Sequence, residues 1–326
     1  MSRKFPFPTL VLVMSVLACN IQTATPTLNP EALTETPTSI SVATTDTPMP
    51  PAPTNTTVFT DTPIGPTTVP GGLTLDMLRN GTYHTPVYNR TVTLVNGTYS
   101  EGSGSSTFSV QMLNVYGFGD LNGDGKDDAA IVLAENDGGS GVFESLIAVI
   151  NQGGTPHQES QKQLGDRVQV NTVDISSGVI HLNLVVQGPS DPLCCPSLPQ
   201  KQNYWLIGSK LWLMRLNSTI GGTEHIIVVD TPAIWSTVTN PFTVSGSMTV
   251  LPFENTLVYH IYLIDGTIIN ESSFTVTPSG GTAGTFSHDF NLSSAGITDW
   301  VIIQFVDISA ADGSTIALGS VILKTH

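Results

Sequence analysis

The chain has 326 residues, enough for two ordinary domains with further segments around them. Only 11 Lys and Arg stand against 26 Asp and Glu, a formal net charge of −15, and this excludes a nucleic-acid partner, whose phosphates need basic patches. Thr, Ser, Asn and Gly are abundant and no window keeps a helical period, so composition points to an extracellular, all-β (mainly β) protein.

The first residues read as a targeting segment. Arg3 and Lys4 precede the apolar run "TLVLVMSVLAC", which is too short to span a bilayer. The run ends in Val16-Leu17-Ala18-Cys19, which resembles the lipobox of bacterial lipoproteins. The resemblance implies a signal peptide over residues 1–19, cleavage before Cys19, and lipidation of that cysteine. The partner is then the membrane itself, and everything after Cys19 is extracytoplasmic. The rival is an ordinary secretory signal in which Cys19 is incidental. Residues 20–72 are rich in Thr and Pro and hold no Lys or Arg. They bury too little to offset their ordering entropy, so a disordered linker is expected, with an extended reach on the order of 150 Å.

Residues 73–217 change to short β-type runs punctuated by glycine, which predicts a β-rich middle domain. "TVTLVNGTY" contains an Asn96-Gly97 turn, and "AAIVLAEN" and "VFESLIAVIN" flank the turn "NDGGSG" as a hairpin. In "VIHLNLVVQ", Ile180, Leu182, Leu184 and Val186 alternate with His181, Asn183 and Val185, giving one buried and one more exposed face. "NYWLIGSKLWLM" reads as another hairpin, around Gly208-Ser209.

Inside this region "GDLNGDGKDDAAIVL" crowds Asp120, Asn122, Asp124, Asp127 and Asp128 together. Counted from Asp120, oxygen-bearing side chains fall at positions one, three, five and nine, with Gly125 at six. That is the start of an EF-hand-type calcium loop. Position twelve, usually a bidentate Glu, is Ile131, and a strand rather than a helix follows. The pattern therefore resembles the strand-flanked calcium loops of FG-GAP repeats. The expected ligands are the side chains of Asp120, Asn122, Asp124 and Asp128 with the Lys126 carbonyl, calcium is the expected structural cofactor, and Asp127 points outward. The rival is a solvated Asx-rich turn.

Cys194 and Cys195 are adjacent in "SDPLCCPSLP". They form a candidate vicinal disulfide, with free thiols, bonds to partner chains or a metal as rivals. The motif "GDLNGDGKDDAAIVL", "LGDRVQV" and the Cys-Pro segment before "YWL" resemble a module recurrent in bacterial surface lipoproteins. No zinc-protease motif, nucleophile elbow or phosphate loop occurs, and His288-Asp289 sit on opposite faces of a strand.

Residues 222–326 offer seven strand candidates in about a hundred residues, the number expected of an immunoglobulin-like sandwich. They hold no cysteine and only one Lys or Arg, Lys324, so packing must join the sheets; Trp235 and Trp300 are candidate core aromatics. "IVVDTP", "VTNPFTVSG", "FENTL", "IYLIDG" and "DISAADGS", in this order, resemble the immunoglobulin-like domain of bacterial spore-germination proteins. That resemblance implies an accessory module that binds or positions, with no catalytic residues. The expected whole is a lipid-anchored, non-catalytic binding or structural protein of the bacterial cell envelope, with an envelope protein or glycan as partner. The alternative is an envelope hydrolase acting on glycan or peptidoglycan through carboxylates of the middle domain.

Overall fold

Runs of β-formers broken by glycine turns become strands throughout the computed structural model, which describes residues 71–326 apart from 105–106 and 293–298. The signal peptide, Cys19 and nearly all of the linker lie outside the described residues. A single α-helix, α1 (Leu75–Arg79), is present among them; Thr74 caps it by accepting the Met77 amide at 3.3 Å. At five residues it is too short to leave a helical period in the sequence.

A hairpin of β1 (Thr82–Thr85) and β2 (Arg90–Thr93) follows. Next comes a five-stranded antiparallel sheet in chain order: β3 (Thr98–Glu101), β4 (Phe108–Gly119), β5 (Asp128–Asp137), β6 (Phe143–Gln152) and β7 (Thr155–Asp166). A second meander holds β8 (Gln169–Ser176), β9 (Val179–Val186), β10 (Leu198–Ile207) and β11 (Lys210–Ile220). One face of the first sheet packs Val132, Leu146 and Ala148 against Ile180, Leu182 and Leu184 of β9. Its other face packs Ile131, Leu133 and Ile147 beneath α1 and the β1–β2 hairpin, through Leu78, Tyr83 and Val92. Both faces of β5 and β6 are thus covered. This explains their unbroken apolar sequence, since alternation appears only where one face meets water.

The C-terminal module is a two-layer sandwich. Its first layer orders β13 (Ile227–Thr231), β15 (Phe242–Met248), β19 (Ala283–Phe290) and β18 (Thr277–Gly280) as β13-β15-β19-β18. Its second orders β17 (Ile268–Thr275), β16 (Thr256–Leu263), β20 (Trp300–Ile308) and β21 (Thr315–Thr325) as β17-β16-β20-β21. Short strands β12 (Thr223–His225) and β14 (Ser236–Val238) add to β11 and β21. Between the layers Phe286, Phe290 and Phe305 fill the core with Leu257, Ile261, Val301 and Ile303. At roughly 1.5–3 kcal/mol for each large side chain buried, this packing holds the layers together without a covalent bridge.

The two modules share a sheet. β11 pairs antiparallel with β21 through Arg215–Gly319, Leu216–Leu318 and Asn217–Ala317, so that β8–β11, the second sandwich layer and the short β12 and β14 are one ten-stranded surface. Gly319 is required there, because a Cβ would lie 2.5 Å from the Ile227 carbonyl oxygen. The Gln304 side-chain amide donates to the Leu213 carbonyl at 2.7 Å, and Trp212, Met214, Ile302 and Ile322 are buried together at the joint.

One expectation is corrected. Trp235 is not a core aromatic but 45% exposed. Its backbone is left-handed (φ +66°), its N–H donates to the Ile322 carbonyl at 2.8 Å, and phenylalanines fill the core in its place. Trp300 is half-buried on the outer side of its sheet.

Candidate functional site

The acidic turn joins β4 to β5 and wraps its oxygens around its own backbone. Asp120 accepts from the Gly123 amide at 2.7 Å and from the Gly125 amide at 2.8 Å. Asn122 accepts from the Asp124 amide, and Asp124 from the Lys126 amide, each at 2.9 Å. Gly123 and Gly125 both have φ of +80°, a conformation that glycine adopts without strain. Burial pushes the Asp120 carboxyl up, but the amides of Gly125, Gly123, Asp124 and Asn122 outweigh it and hold its pKa below the ordinary value.

Asp128 behaves differently from its neighbours. It is fully buried, accepting from the Leu121 amide at 2.9 Å and the Asn151 amide at 2.8 Å. Burial raises its pKa, the two amides oppose the rise, and the charges of Asp124 and Asp120 add to it. Asn151 extends the anchor by donating to the carbonyls of Gly71, at 2.9 Å, and Asp127, at 3.2 Å. Asp128 therefore ties the turn to the β6–β7 hairpin and to the point where the chain enters the module. Asp127 and Lys126 face solvent, and the Lys126 ammonium lies 3.8 Å from Asp124.

The donor set suits calcium in kind: the candidate ligands are hard oxygens, and a carboxylate oxygen that accepts one amide keeps a second lone pair. Among the described residues no three His, Cys, Asp or Glu side chains form a metal cage by themselves. Calcium at this turn therefore needs the Asn122 amide oxygen, the Lys126 carbonyl and water besides the aspartates.

Two further acids are buried in the middle module. Glu135 accepts from the Tyr88 amide at 3.3 Å and Glu144 from the Val168 amide at 2.7 Å. Burial raises both carboxyls, that of Glu144 to about 7, with the backbone amides opposing. In the β5–β6 register Glu135 lies opposite Phe143 and Glu144 opposite Ala134. Adjacent positions alternate between faces, so the two carboxylates project to opposite sides of the sheet.

Cys194 and Cys195 are joined as a vicinal disulfide in the exposed β9–β10 loop. Asp191 organises that loop by accepting from Gly188, at 2.7 Å, and from the amide and hydroxyl of Ser197, each at 2.6 Å. Arg167 donates to the Leu193 carbonyl at 2.9 Å while pairing with Asp166 at 2.6 Å. His288 is packed against the ring of Phe274 at 4.5 Å, and desolvation lowers its pKa against the opposing charge of Asp289.

The junction supplies features that no local motif announces. A groove of about 820 Å³ runs between β7, the β10–β11 turn and the β16–β17 turn, and His84, Glu159, Lys210 and Asp265 reach it. Beside it a cleft of about 420 Å³ is lined by Trp205, Trp235 and the Ser177-Gly178 turn. Trp235 stacks on Trp205 at 5.9 Å and meets Trp300 edge-on at 5.3 Å. Sequence reasoning singled out Trp235 and Trp300 as apolar bulk, but their meeting with Trp205 depends on how β10, β14 and β20 are brought together.

Residues 226–314 match the family described as the immunoglobulin-like domain of bacterial spore germination (Gmad2). The C-terminal module is accordingly an immunoglobulin-like interaction or structural module. No curated protein and no solved structure matches the chain.

Proposed function

We propose that this chain is a non-catalytic binding or scaffolding protein of the bacterial cell envelope. It is attached to the membrane through a lipidated Cys19 and carried outward on the Thr/Pro-rich linker. The observation that carries the reading is the shared sheet. Pairing of β11 with β21 fuses an immunoglobulin-like interaction module to a second β module, so both present one rigid surface to a partner. The buried acids of the middle module add support. Asp128, Glu135 and Glu144 each hold backbone amides; Glu135 projects to the opposite face from the other two, and Asp128 stands about 20 Å along the sheet from Glu144, whereas hydrolysis of a glycan needs two carboxylates flanking one bond. Calcium at Asp120, Asn122, Asp124, Lys126 and Asp128 would stiffen the turn at the linker end of the module.

The reading is tested in a bacterial host with the full chain. The protein is expected in the membrane fraction, incorporating an alkyne-tagged fatty acid that Cys19→Ser abolishes. Recovery of unlabelled protein from the cytosol would defeat it. Pull-down of envelope components by the full chain, with and without chelator, then reports the partner and its dependence on calcium.

A further inference from the structure

Going one step deeper, and resting on that envelope-binding reading, we propose that the Trp205–Trp235 cleft and the outer face of β9–β10 form a carbohydrate site for an uncharged or N-acetylated polysaccharide. Trp235 is nearly half exposed yet is held in place. Its N–H bonds to Ile322, its ring stacks on Trp205, and Trp300 abuts it edge-on. A fixed, exposed indole gives an apolar face at little entropic cost on binding, and the axial C–H groups of a pyranose ring match such a face. The Ser177-Gly178 turn also lines the cleft, whose volume of about 420 Å³ is large enough for one sugar ring.

Polar groups continue from the cleft in register. Trp205 and Asn203 are alternate residues of β10 and share a face about 6.6 Å apart. Asn203 lies opposite His181, and the two side chains bond at 3.1 Å. Asn183, next on that face of β9, donates to the Thr172 hydroxyl at 2.7 Å. These are polar groups that offer donors and acceptors, as sugar hydroxyls and acetamido groups require. The charges around them balance, since Lys201 pairs with Glu224 at 3.1 Å while Asp174 and Arg215 are both exposed. A protein of net charge −15 disfavours polyanions as a whole, and Lys324, 5.9 Å over the Trp300 ring, is the cation beside the tryptophans. An aromatic stop followed by Asn203 on β10 and His181 and Asn183 on β9 therefore fits a linear neutral glycan lying along the β9–β10 pair, its first ring on Trp235.

The test is affinity electrophoresis of the full chain in gels containing glycol chitin or hydroxyethylcellulose, with fluorescence titration by the matching tetrasaccharides. At least one polymer is expected to retard the protein. Trp235→Ala should weaken binding about tenfold or more, as expected for an aromatic anchor, while Trp235→Tyr retains most of it. Asn203→Ala should weaken it about threefold, and it decides the matter should Trp235→Ala fail to fold. No retardation by either polymer, or binding unchanged in Trp235→Ala or Asn203→Ala, overturns the proposal. So does capture of an envelope protein that survives these substitutions without polysaccharide binding. Fatty-acid labelling at Cys19 is read separately, so loss of the carbohydrate site alone leaves the envelope reading standing.

Discussion

The two modules solve the same problem, joining β layers without a long helix, by different chemistry. The middle module has three layers and places carboxylates inside: Asp128, Glu135 and Glu144 each satisfy backbone amides of a neighbouring turn or strand end. The immunoglobulin-like module has two layers, and its core carries phenylalanines, Tyr259 and aliphatic side chains, with one buried carboxylate, Asp307, held 3.6 Å from the His225 ring. The difference follows from covering β5 and β6 on both faces. Turns that must pass over a doubly buried sheet leave amides far from water, and a buried acceptor is needed there. A two-layer sandwich keeps its turns at the rim, where water serves them.

The sharpest way to break this comparison is to damage one module and watch the other. Phe305 is fully buried, and Phe305→Ala should destabilise the protein by about 4 kcal/mol through the cavity it leaves. Because β11 and β21 share a ladder, hydrogen exchange in β5 should accelerate in the same transition that exposes the sandwich. A sandwich that unfolds while β5 stays protected would show the modules to be independent. Asp128→Ala should cost about 3 kcal/mol in urea unfolding, as the buried amides of Leu121 and Asn151 lose their acceptor. A loss below about 1 kcal/mol would mean that water reaches them and that the carboxylate is not an anchor.

Calcium would sharpen the comparison, because its proposed ligands lie in one module only. If the turn binds at the affinity of extracellular sites, near 10⁻⁴ M, then 10 mM calcium should add about 2–3 kcal/mol of stability. Asp124→Ala, at an exposed position, should remove that gain without lowering stability in chelator. A melting temperature unmoved by calcium would leave the loop an Asx-rich turn.

The smallest effect is the pH dependence contributed by Glu144. Its folded carboxyl titrates at about 7 against an ordinary 4.5, so between these values the folded state holds the extra proton. Stability from this group therefore falls as pH rises from about 4.5 to 7. Glu144→Gln keeps an acceptor for the Val168 amide and removes the titration. It should be about 1–2 kcal/mol more stable than the parent at pH 8 and equal to it at pH 4, as measured by urea unfolding. A parent curve as flat as the variant's would place Glu144 in contact with solvent.

Local pattern was enough for the elements themselves. The hairpin turn Gly208-Ser209, the alternation of Ile180, Leu182 and Leu184, and all seven expected C-terminal strands follow from period and turn chemistry, which act over a few residues. The spacing of Asp120, Asn122 and Asp124 likewise announced a turn with converging oxygens, because each binds an amide only two to five residues away. The roles of Asp128 and Trp235 were not legible in this way. Asp128 reads in the sequence as the last ligand of a calcium-type loop, and its role as a buried acceptor appears only when Asn151, 23 residues on, is brought against it. Trp235 looks like core until phenylalanines from β15, β19 and β20 occupy that space.

The sequence alone determined an all-β chain, an acidic surface and an immunoglobulin-like C-terminal module, since these rest on composition and on short-range alternation. Only the tertiary structure decided that one sheet runs through both modules, that the middle module buries its acids, and that three tryptophans meet at the joint. The reason is physical. Strand pairing between Leu216 and Leu318 is a contact between backbones about a hundred residues apart, and backbone hydrogen bonds carry no side-chain signature by which a sequence could announce its partner.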